Sequence, residues 1–191
     1  MAPELVNEVG RLLNHVELVY RPGERTLVRK VFETLGCGVV ETGGPYLVIQ
    51  IDADAGDFMN NVLYASEVTA EQWEFETRLQ KELVQNEELA ASYRAYEARR
   101  AAAPQQTTHF GLRMGSLEAL EATLARIDSS DDPELEGRLE LAGVFRPGDP
   151  GALSDALVQA FVRTDVCASG LISLGQQIEL QAQLSGGDTV P

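Results

Sequence analysis

One order of sequence patterns occurs twice in this chain of 191 residues, and it constrains the fold more than any other feature. In the first half, an alternating apolar stretch at 12–20 is followed by a helical pattern at 25–35 and by three short strand-like runs. In the second half, an alternating stretch at 108–114 precedes a helix capped by Ser116 and three more strand-like runs. The repeat is one of pattern rather than of residue identity. It predicts an α+β chain built from two β-α-β-β-β modules.

Turn signals and a compositional change set the expected boundaries within a single domain. Glycine and proline clusters such as Gly43-Gly44-Pro45 separate the strand-like runs. We place module one at 10–68, module two at 105–185 and a short C-terminal tail at 186–191. The segment between the modules, 69–104, is rich in Glu, Ala, Leu, Gln and Arg, and it is predicted to be a helical insertion.

The insertion has its own start signal and is too long for one straight helix. Thr69 and Gln72 form a capping-box start. A single helix over 69–103 would run about 50 Å at 1.5 Å per residue, which exceeds the size of a compact module. We therefore expect a break near Gln85-Asn86, or two helices packed over the sheet. The apolar stripe that should pack on the domain consists of Phe75, Leu79 and Leu83.

The charge balance restricts the partners and the compartment. The chain has 15 basic and 30 acidic residues, a formal net charge of −15. Nucleic acids and anionic membranes need basic patches, so we expect neither as a partner. No apolar stretch approaches a membrane span, and the N-terminus lacks the regions of a signal peptide, so a cytoplasmic protein is expected. Cys37 and Cys167 lack paired metal-ligand spacing and are predicted to be buried thiols.

The chain has two histidines, and each opens an alternating stretch. His15 begins His-Val-Glu-Leu-Val-Tyr, and His109 begins His-Phe-Gly-Leu-Arg-Met. Glu179 lies on the glutamine-lined polar face of a third alternating stretch near the C-terminus. Two imidazoles and one carboxylate are the donors of a 2-His-1-carboxylate metal site. The alternatives are histidines hydrogen-bonded to backbone and a solvent-facing glutamate, because the sequence does not show that the three residues converge.

Together with the doubled module, these residues resemble the vicinal oxygen chelate superfamily, also called the glyoxalase/bleomycin resistance protein/dioxygenase fold. The resemblance covers most of the chain apart from the insertion. It implies a cupped mixed sheet around a divalent metal ion, with His15, His109 and Glu179 as ligands. Many members add a fourth ligand from the last strand of module one. Alignment sets Leu63 against Glu179 at that position, so no ligand is expected there unless a different register brings in Glu67.

The resemblance also implies a type of chemistry. Three protein ligands leave open positions at which a metal ion can chelate two adjacent oxygen atoms of a small molecule and activate them. Fe(II) or Mn(II) is favoured, and Zn(II), Ni(II) and Co(II) are alternatives. Oxygenase chemistry ranks slightly above that of a metal-dependent isomerase, a lyase or a resistance-type transferase. With both histidines as ligands, none remains for acid–base work, which counts against extradiol ring cleavage. The missing fourth ligand counts against a standard glyoxalase I.

Two other classes of function remain open beside the enzyme. The first is a non-enzymatic protein of the same fold that binds a drug or another small molecule in its groove. The second is a structural or regulatory partner protein that docks through the helical insertion. A homodimer is one possible assembly.

Further side chains on predicted strands are candidates for the same cavity. Glu17 and Asp165 are candidates for proton transfer, and Arg113, Arg163 and Tyr64 are candidates for substrate binding. Each has an ordinary alternative. Glu17 would be an exposed strand residue, the other charged residues would form surface ion pairs, and Tyr64 would pack in the core or at the rim.

Overall fold

The computed structural model describes residues 13–54 and 59–184. The start of module one at 10–12 and the tail at 186–191 lie outside these ranges. Within them, the strands and helices are β1 His15–Tyr20, α1 Arg25–Thr34, β2 Gly38–Glu41, β3 Tyr46–Gln50, β4 Val62–Glu67, α2 Ala70–Gln85, α3 Glu87–Ala102, β5 His109–Arg113, α4 Leu117–Asp128, β6 Leu139–Phe145, β7 Leu157–Thr164, β8 Cys167–Ala168 and β9 Gln176–Gln183. The first half has the order β-α-β-β-β, and the second half has this order with the short strand β8 added.

The strands form two mixed sheets. The first has the order β2-β3-β4-β1-β8, and the second has the order β5-β9-β7-β6. In each half, the first strand pairs in parallel with the last one, β1 with β4 and β5 with β9. The short β8, which the sequence pattern does not predict, comes from the second half and pairs with β1 at Val19 and Tyr20. The chain therefore has an α+β fold in which a strand of the second half extends the sheet of the first.

The two parallel pairs have equivalent registers, and these registers correct the alignment of modules one and two that the sequence suggested. Glu17 lies opposite Tyr64, and Gly111 lies opposite Glu179. Glu17 and Gly111 each follow the histidine of their strand by two residues, so Tyr64 is the module-one counterpart of Glu179. The expected match of Leu63 with Glu179 is wrong by one residue. A one-residue slip reverses the face of a strand residue, and Leu63 is indeed buried in the core.

One apolar core includes side chains from both halves. Val31 and Phe32 of α1 are fully buried in it, together with Leu120 of α4 and Leu180 of β9. Helix α1 contacts strands of the first sheet, and α4 contacts strands of the second. Because strand side chains alternate, His15, His109 and Glu179 lie on the faces of β1, β5 and β9 opposite to the core residues.

Both cysteines lie in this core. Burial raises the pKa of the Cys37 thiol to about 12. Burial, with a smaller contribution from Asp165, raises the pKa of Cys167 to about 12 as well. Both cysteines are free and buried, which confirms the prediction of buried thiols, and at this pKa both are protonated at neutral pH.

The insertion breaks where the sequence predicts. Helix α2 ends at Gln85, and Asn86 accepts the backbone N–H of Leu89 at 3.0 Å, so its side chain caps α3. The hydroxyl of Thr69 accepts the backbone N–H of Gln72 at the start of α2. Among the helices that the structure describes, none is both long and apolar enough to cross a membrane.

The buried face of α2 differs from the predicted stripe. Leu79 and Leu83 are half-buried, but Phe75 is 55% exposed, so the prediction is wrong for Phe75. The residue that α2 buries is Glu76, which is 1% exposed. Its carboxylate accepts hydrogen bonds from the backbone N–H and the hydroxyl of Ser173, at 2.7 and 2.8 Å. A polar contact therefore sets the rotation of this helix.

Candidate metal and ligand site

His109 and Glu179 come together on neighbouring strands of the second sheet. The Nε2 atom of His109 lies 3.3 Å from the Oε2 atom of Glu179. Gly111 lies directly opposite Glu179, and a Cβ added to it would be 3.6 Å from Oε2, so the missing side chain leaves the carboxylate accessible. The strand pattern thus brought two of the predicted ligands to one place. Their role in metal binding stays a prediction.

The ring of His109 is oriented through its other nitrogen. Nδ1 lies 2.7 Å from the carbonyl oxygen of Thr107. A carbonyl oxygen only accepts, so Nδ1 carries a hydrogen atom and donates it. Phe161 packs edge-on against the ring, with centroids 5.3 Å apart. In the neutral imidazole, the lone pair therefore lies on Nε2 and points to Glu179.

The carboxylate of Glu179 is held by amides and is 8% exposed. Its Oε1 atom accepts hydrogen bonds from Nε2 of Gln159 at 2.7 Å and from Nε2 of Gln181 at 3.2 Å. Gln183 in turn donates to Oε1 of Gln181 at 3.1 Å. Among residues 13–54 and 59–184, no lysine or arginine forms an ion pair with Glu179. Oε2 is left to face His109.

The Nε2 lone pair of His109 and the Oε2 atom of Glu179 face each other at 3.3 Å, and a positive charge between or beside them would stabilise this approach. Buried carboxylates in proteins are commonly paired with a charge, coordinate a metal or accept several hydrogen bonds, as Glu76 does from Ser173. A proton on Nε2 would produce an imidazolium–carboxylate pair. A divalent ion bound to both atoms would supply the positive charge equally well. Two N and O ligands, each about 2.1 Å from one ion at tetrahedral to octahedral angles, lie about 3.0–3.4 Å apart. The observed separation fits two adjacent ligands of one ion.

The structure does not bring His15 into this pair. His15 lies on the first sheet, with Nδ1 2.8 Å from Oδ1 of Asn14 and its ring centroid 5.5 Å from that of Tyr64. Within the described part of the chain, no group of three or more His, Cys, Asp or Glu side chains is arranged to hold a metal ion. His15 and Tyr64 instead occupy in module one the positions that His109 and Glu179 occupy in module two.

The fourth ligand position of module one carries no acid. Tyr64 occupies it by register, and the Glu67 alternative fails because Glu67 lies three residues further on and faces the other side of the strand. Its carboxylate accepts the backbone N–H of Gly23 at 2.9 Å and so supports the turn after β1.

The two candidates for proton transfer have different surroundings. Glu17 lies on the same face of β1 as His15, 3.4 Å from the hydroxyl of Ser66, and lines a cleft of about 400 Å³ with residues 168–171. Asp165 forms ion pairs with Arg138 at 2.8 Å and Arg21 at 3.2 Å. Its contacts match the ion-pair alternative, whereas Glu17 faces open space.

The three candidates for substrate binding are also separated. Arg163 forms an ion pair with Glu97 of α3 at 2.5 Å, which again matches the ion-pair alternative. Arg113 shares a strand face with His109 and is exposed, and its guanidinium has no hydrogen bond or ion pair to another described residue. It lines a cleft of about 640 Å³ along β5. Tyr64 is half-buried between His15 and Tyr46. Only Arg113 lies on the strand of the His109 site.

Sequence patterns missed two groups that hold this site, the Thr107 carbonyl and the Gln159 amide. The glutamines that flank Glu179 in β9 were visible in the sequence as one polar strand face. Gln159 was not, because it stands on β7 between Val158 and Ala160, and its closeness to Glu179 arises from the pairing of β7 with β9. Thr107 acts through its backbone, which residue type does not reveal.

Comparison with known proteins adds no family assignment. No family profile matches the chain, and no curated protein sequence matches it. The resemblance to the vicinal oxygen chelate superfamily therefore rests on the residue pattern.

Proposed function

We propose that this chain is a metal-dependent enzyme of the vicinal oxygen chelate type, acting on a small molecule with adjacent oxygen atoms. His109 Nε2 and Glu179 Oε2 supply two protein ligands to one divalent ion. The observation that carries the proposal is their 3.3 Å approach at a buried carboxylate without a lysine or arginine partner among the described residues. Fe(II) and Mn(II) are the first choices, and Zn(II), Ni(II) and Co(II) are the alternatives.

The repeated topology supports the fold that this proposal requires. Each half has its first strand parallel to its last strand, and the two registers are equivalent. We propose that the two modules face each other as a cupped sheet and that His15 supplies the third ligand from module one. In that arrangement Glu17, which lies on the same face as His15, is the side chain available for proton transfer.

Apart from Glu17, the residues of this chain that we assign to the site would hold and orient the groups that bind the metal ion and the substrate. A bound divalent ion supplies Lewis-acid activation of the chelated oxygen atoms. The Thr107 carbonyl fixes the His109 ring, and Gln159 and Gln181 fix the Glu179 carboxylate. The exposed guanidinium of Arg113 would attract an anionic substituent of the substrate. Oxygenase chemistry ranks slightly above isomerase or lyase chemistry, because the proposed ligand set is the iron(II) facial triad.

Metal content tests this assignment directly. Protein purified without a metal-affinity tag should contain about one divalent ion per chain, as expected for a 2-His-1-carboxylate site. His109→Ala and Glu179→Gln should each lose it, whereas Glu140→Gln, which neutralises an exposed glutamate of β6, should retain it. Loss of the metal ion in His15→Ala as well would establish His15 as the third ligand. Full occupancy in both His109→Ala and Glu179→Gln would refute the assignment.

A second candidate is a non-enzymatic small-molecule binding protein of the same fold. It is favoured by the lack of a third ligand beside His109 and Glu179 among the described residues. Oxygen uptake by anaerobically prepared Fe(II)-loaded protein, with a panel of keto acids and phenols, separates the candidates. Uptake above that of His109→Ala supports an oxygenase. A small molecule retained in native mass spectrometry, without turnover on any metal, supports the binding protein.

The partners that we propose follow from the same considerations. The ligand is a small molecule, and the net charge of −15 disfavours nucleic acid and anionic membranes. A homodimer and a cytoplasmic location remain predictions. Light scattering of the purified chain would measure the first, and fractionation of the source cells would measure the second.

A further inference from the structure

Gln159 is a buried amide in direct contact with Glu179. It lies on β7 opposite Gln181 of β9 and is 4% exposed. Its Nε2 atom donates to Oε1 of Glu179 at 2.7 Å. Its own Oε1 atom is buried and accepts no hydrogen bond from any residue that the structure describes. Buried polar atoms without a partner are uncommon in folded proteins, so this one requires an explanation.

The orientation of the amide supplies that explanation. If the amide of Gln159 were rotated by half a turn, its oxygen would face Oε1 of Glu179, and two acceptors would oppose each other. The observed orientation donates to the carboxylate and leaves the amide oxygen of Gln159 unsatisfied. The charge of Glu179 therefore determines how this side chain is placed.

The hydrogen bonds to Glu179 are unevenly divided between its two oxygen atoms. Both amide donors, from Gln159 and Gln181, bind Oε1. Oε2 receives no amide and faces Nε2 of His109. The bond from Gln159 is the shorter of the two and is buried, whereas Gln181 is half-buried. Gln159 is thus the main restraint on the rotation of the carboxylate.

We propose that Gln159 is a positioning residue that holds Glu179 so that Oε2 alone is presented, together with His109 Nε2, to the metal ion. The metal ion in this inference rests on the proposed function. The placement of the carboxylate by Gln159 does not depend on it. A residue in this role acts through Glu179 and contacts neither metal nor substrate. Mutation of groups that orient metal ligands in this way commonly lowers the metal affinity by a factor of about ten or more.

Gln159→Met tests the role because methionine has a similar length and no amide. Cobalt(II) alone serves as the probe, followed by calorimetry and by its visible absorption spectrum. The variant should bind cobalt(II) about 10- to 100-fold more weakly than wild type, with a changed spectrum. Its melting temperature should fall, because the buried Glu179 carboxylate loses a hydrogen-bond donor, and the removal of the unsatisfied acceptor offsets only part of this loss. Gln183→Met, at the exposed end of the same row, should stay within about threefold of wild type, since among the described residues its amide donates to Gln181 and not to Glu179.

A crystal structure of metal-free Gln159→Met tests the placement independently of the proposed function. We expect the Glu179 carboxylate to turn until Oε2 is beyond hydrogen-bond distance of His109 Nε2. If wild-type protein binds no cobalt(II) but the carboxylate turns, the positioning role stands and the metal proposal fails. The positioning role is overturned if the carboxylate keeps its wild-type place, or if wild-type protein binds cobalt(II) and Gln159→Met binds it equally tightly.

Discussion

At the scale of single residues, one position distinguishes the two halves of the molecule. Gly111 in β5 and Glu17 in β1 are counterparts, each opposite the last strand of its module. Gly111 leaves the space beside Glu179 open, whereas Glu17 places a carboxylate beside Tyr64. Equivalent backbone positions thus produce an accessible His–Glu pair in one module and a His–Tyr contact with a nearby acid in the other.

Substitution of Gly111 tests whether that open space matters. An added Cβ would have only ordinary contacts, at 3.6 Å or more from Glu179, so Gly111→Ala should fold well and gain about 0.4–1 kcal/mol of stability. Gly111→Val suits a strand equally but adds two methyl groups next to the carboxylate. We expect it to keep the melting temperature and reduce metal content relative to Gly111→Ala. Equal metal content in the two variants would show that the space is not used.

At the scale of elements, the most deeply buried side chains that attach the helical insertion are charged rather than apolar. The buried residues of α2 and α3 are Glu76 and Arg100. Both bind the short helical turn at Ile172–Leu174, Glu76 through Ser173 and Arg100 through the Leu174 carbonyl. Polar interfaces between packed units permit more motion than apolar ones. The two helices should therefore open more readily than β7 and β9, which form the centre of the second sheet.

The pH dependence of this attachment follows from Glu76. Burial by itself raises the pKa of Glu76, but hydrogen bonds from Gln72 and Ser173 bring the pKa below its ordinary 4.5. Because the folded-state pKa is the lower one, the stabilisation is complete above about pH 4.5 and is lost as the pH falls through the folded-state value. Hydrogen exchange should show α2 losing protection in acid before β7 and β9.

Glu76→Gln provides the control for this effect. The variant should be less protected in α2 at neutral pH, by about 1–3 kcal/mol for the lost charged hydrogen bonds. It should also lack the acid-dependent loss, since its side chain does not titrate. An acid response identical to that of wild type would mean that another group controls the attachment.

The elements themselves were largely predictable, because their signals are local. Residue alternation indicated most of the strands, the capping box at Thr69 marked the start of the insertion, and its length indicated a break near Gln85-Asn86. The registers that make Tyr64 the module-one counterpart of Glu179 were not predictable, because they depend on pairing between strands that are distant in the sequence. The exposure of Phe75 was missed for a similar reason, since Ser173, which binds Glu76, is 97 residues along the chain. The His109–Glu179 pair was predictable as a shared strand face, but its hydrogen-bonded amides were not.

At the scale of the whole molecule, the two halves share one core and are joined by ion pairs. Arg138 of the second half binds Glu24 of the first with two hydrogen bonds, at 2.8 and 3.0 Å, and also binds Asp165. Lys30 of α1 binds Asp132 at 2.7 Å. The halves are therefore expected to unfold together, although the sequence presents them as a repeat.

Phe32→Ala tests this coupling. The ring of Phe32 is fully buried in the shared core, so its removal should cost about 3–5 kcal/mol. If the halves form one cooperative unit, the free energy of opening measured by hydrogen exchange should fall equally for the most protected amides of β4 and of β9. A loss confined to the first half would show that the modules are independent.

The central claim is that His109 and Glu179 hold one divalent ion, and anomalous scattering from Mn(II)-soaked crystals tests it most directly. We predict one anomalous peak at coordination distance from both His109 Nε2 and Glu179 Oε2, about 2.0–2.3 Å from each. The peak should vanish in His109→Ala crystals soaked in the same way. A direct hydrogen bond between the two side chains, with no peak beside them at saturating Mn(II), would contradict the account.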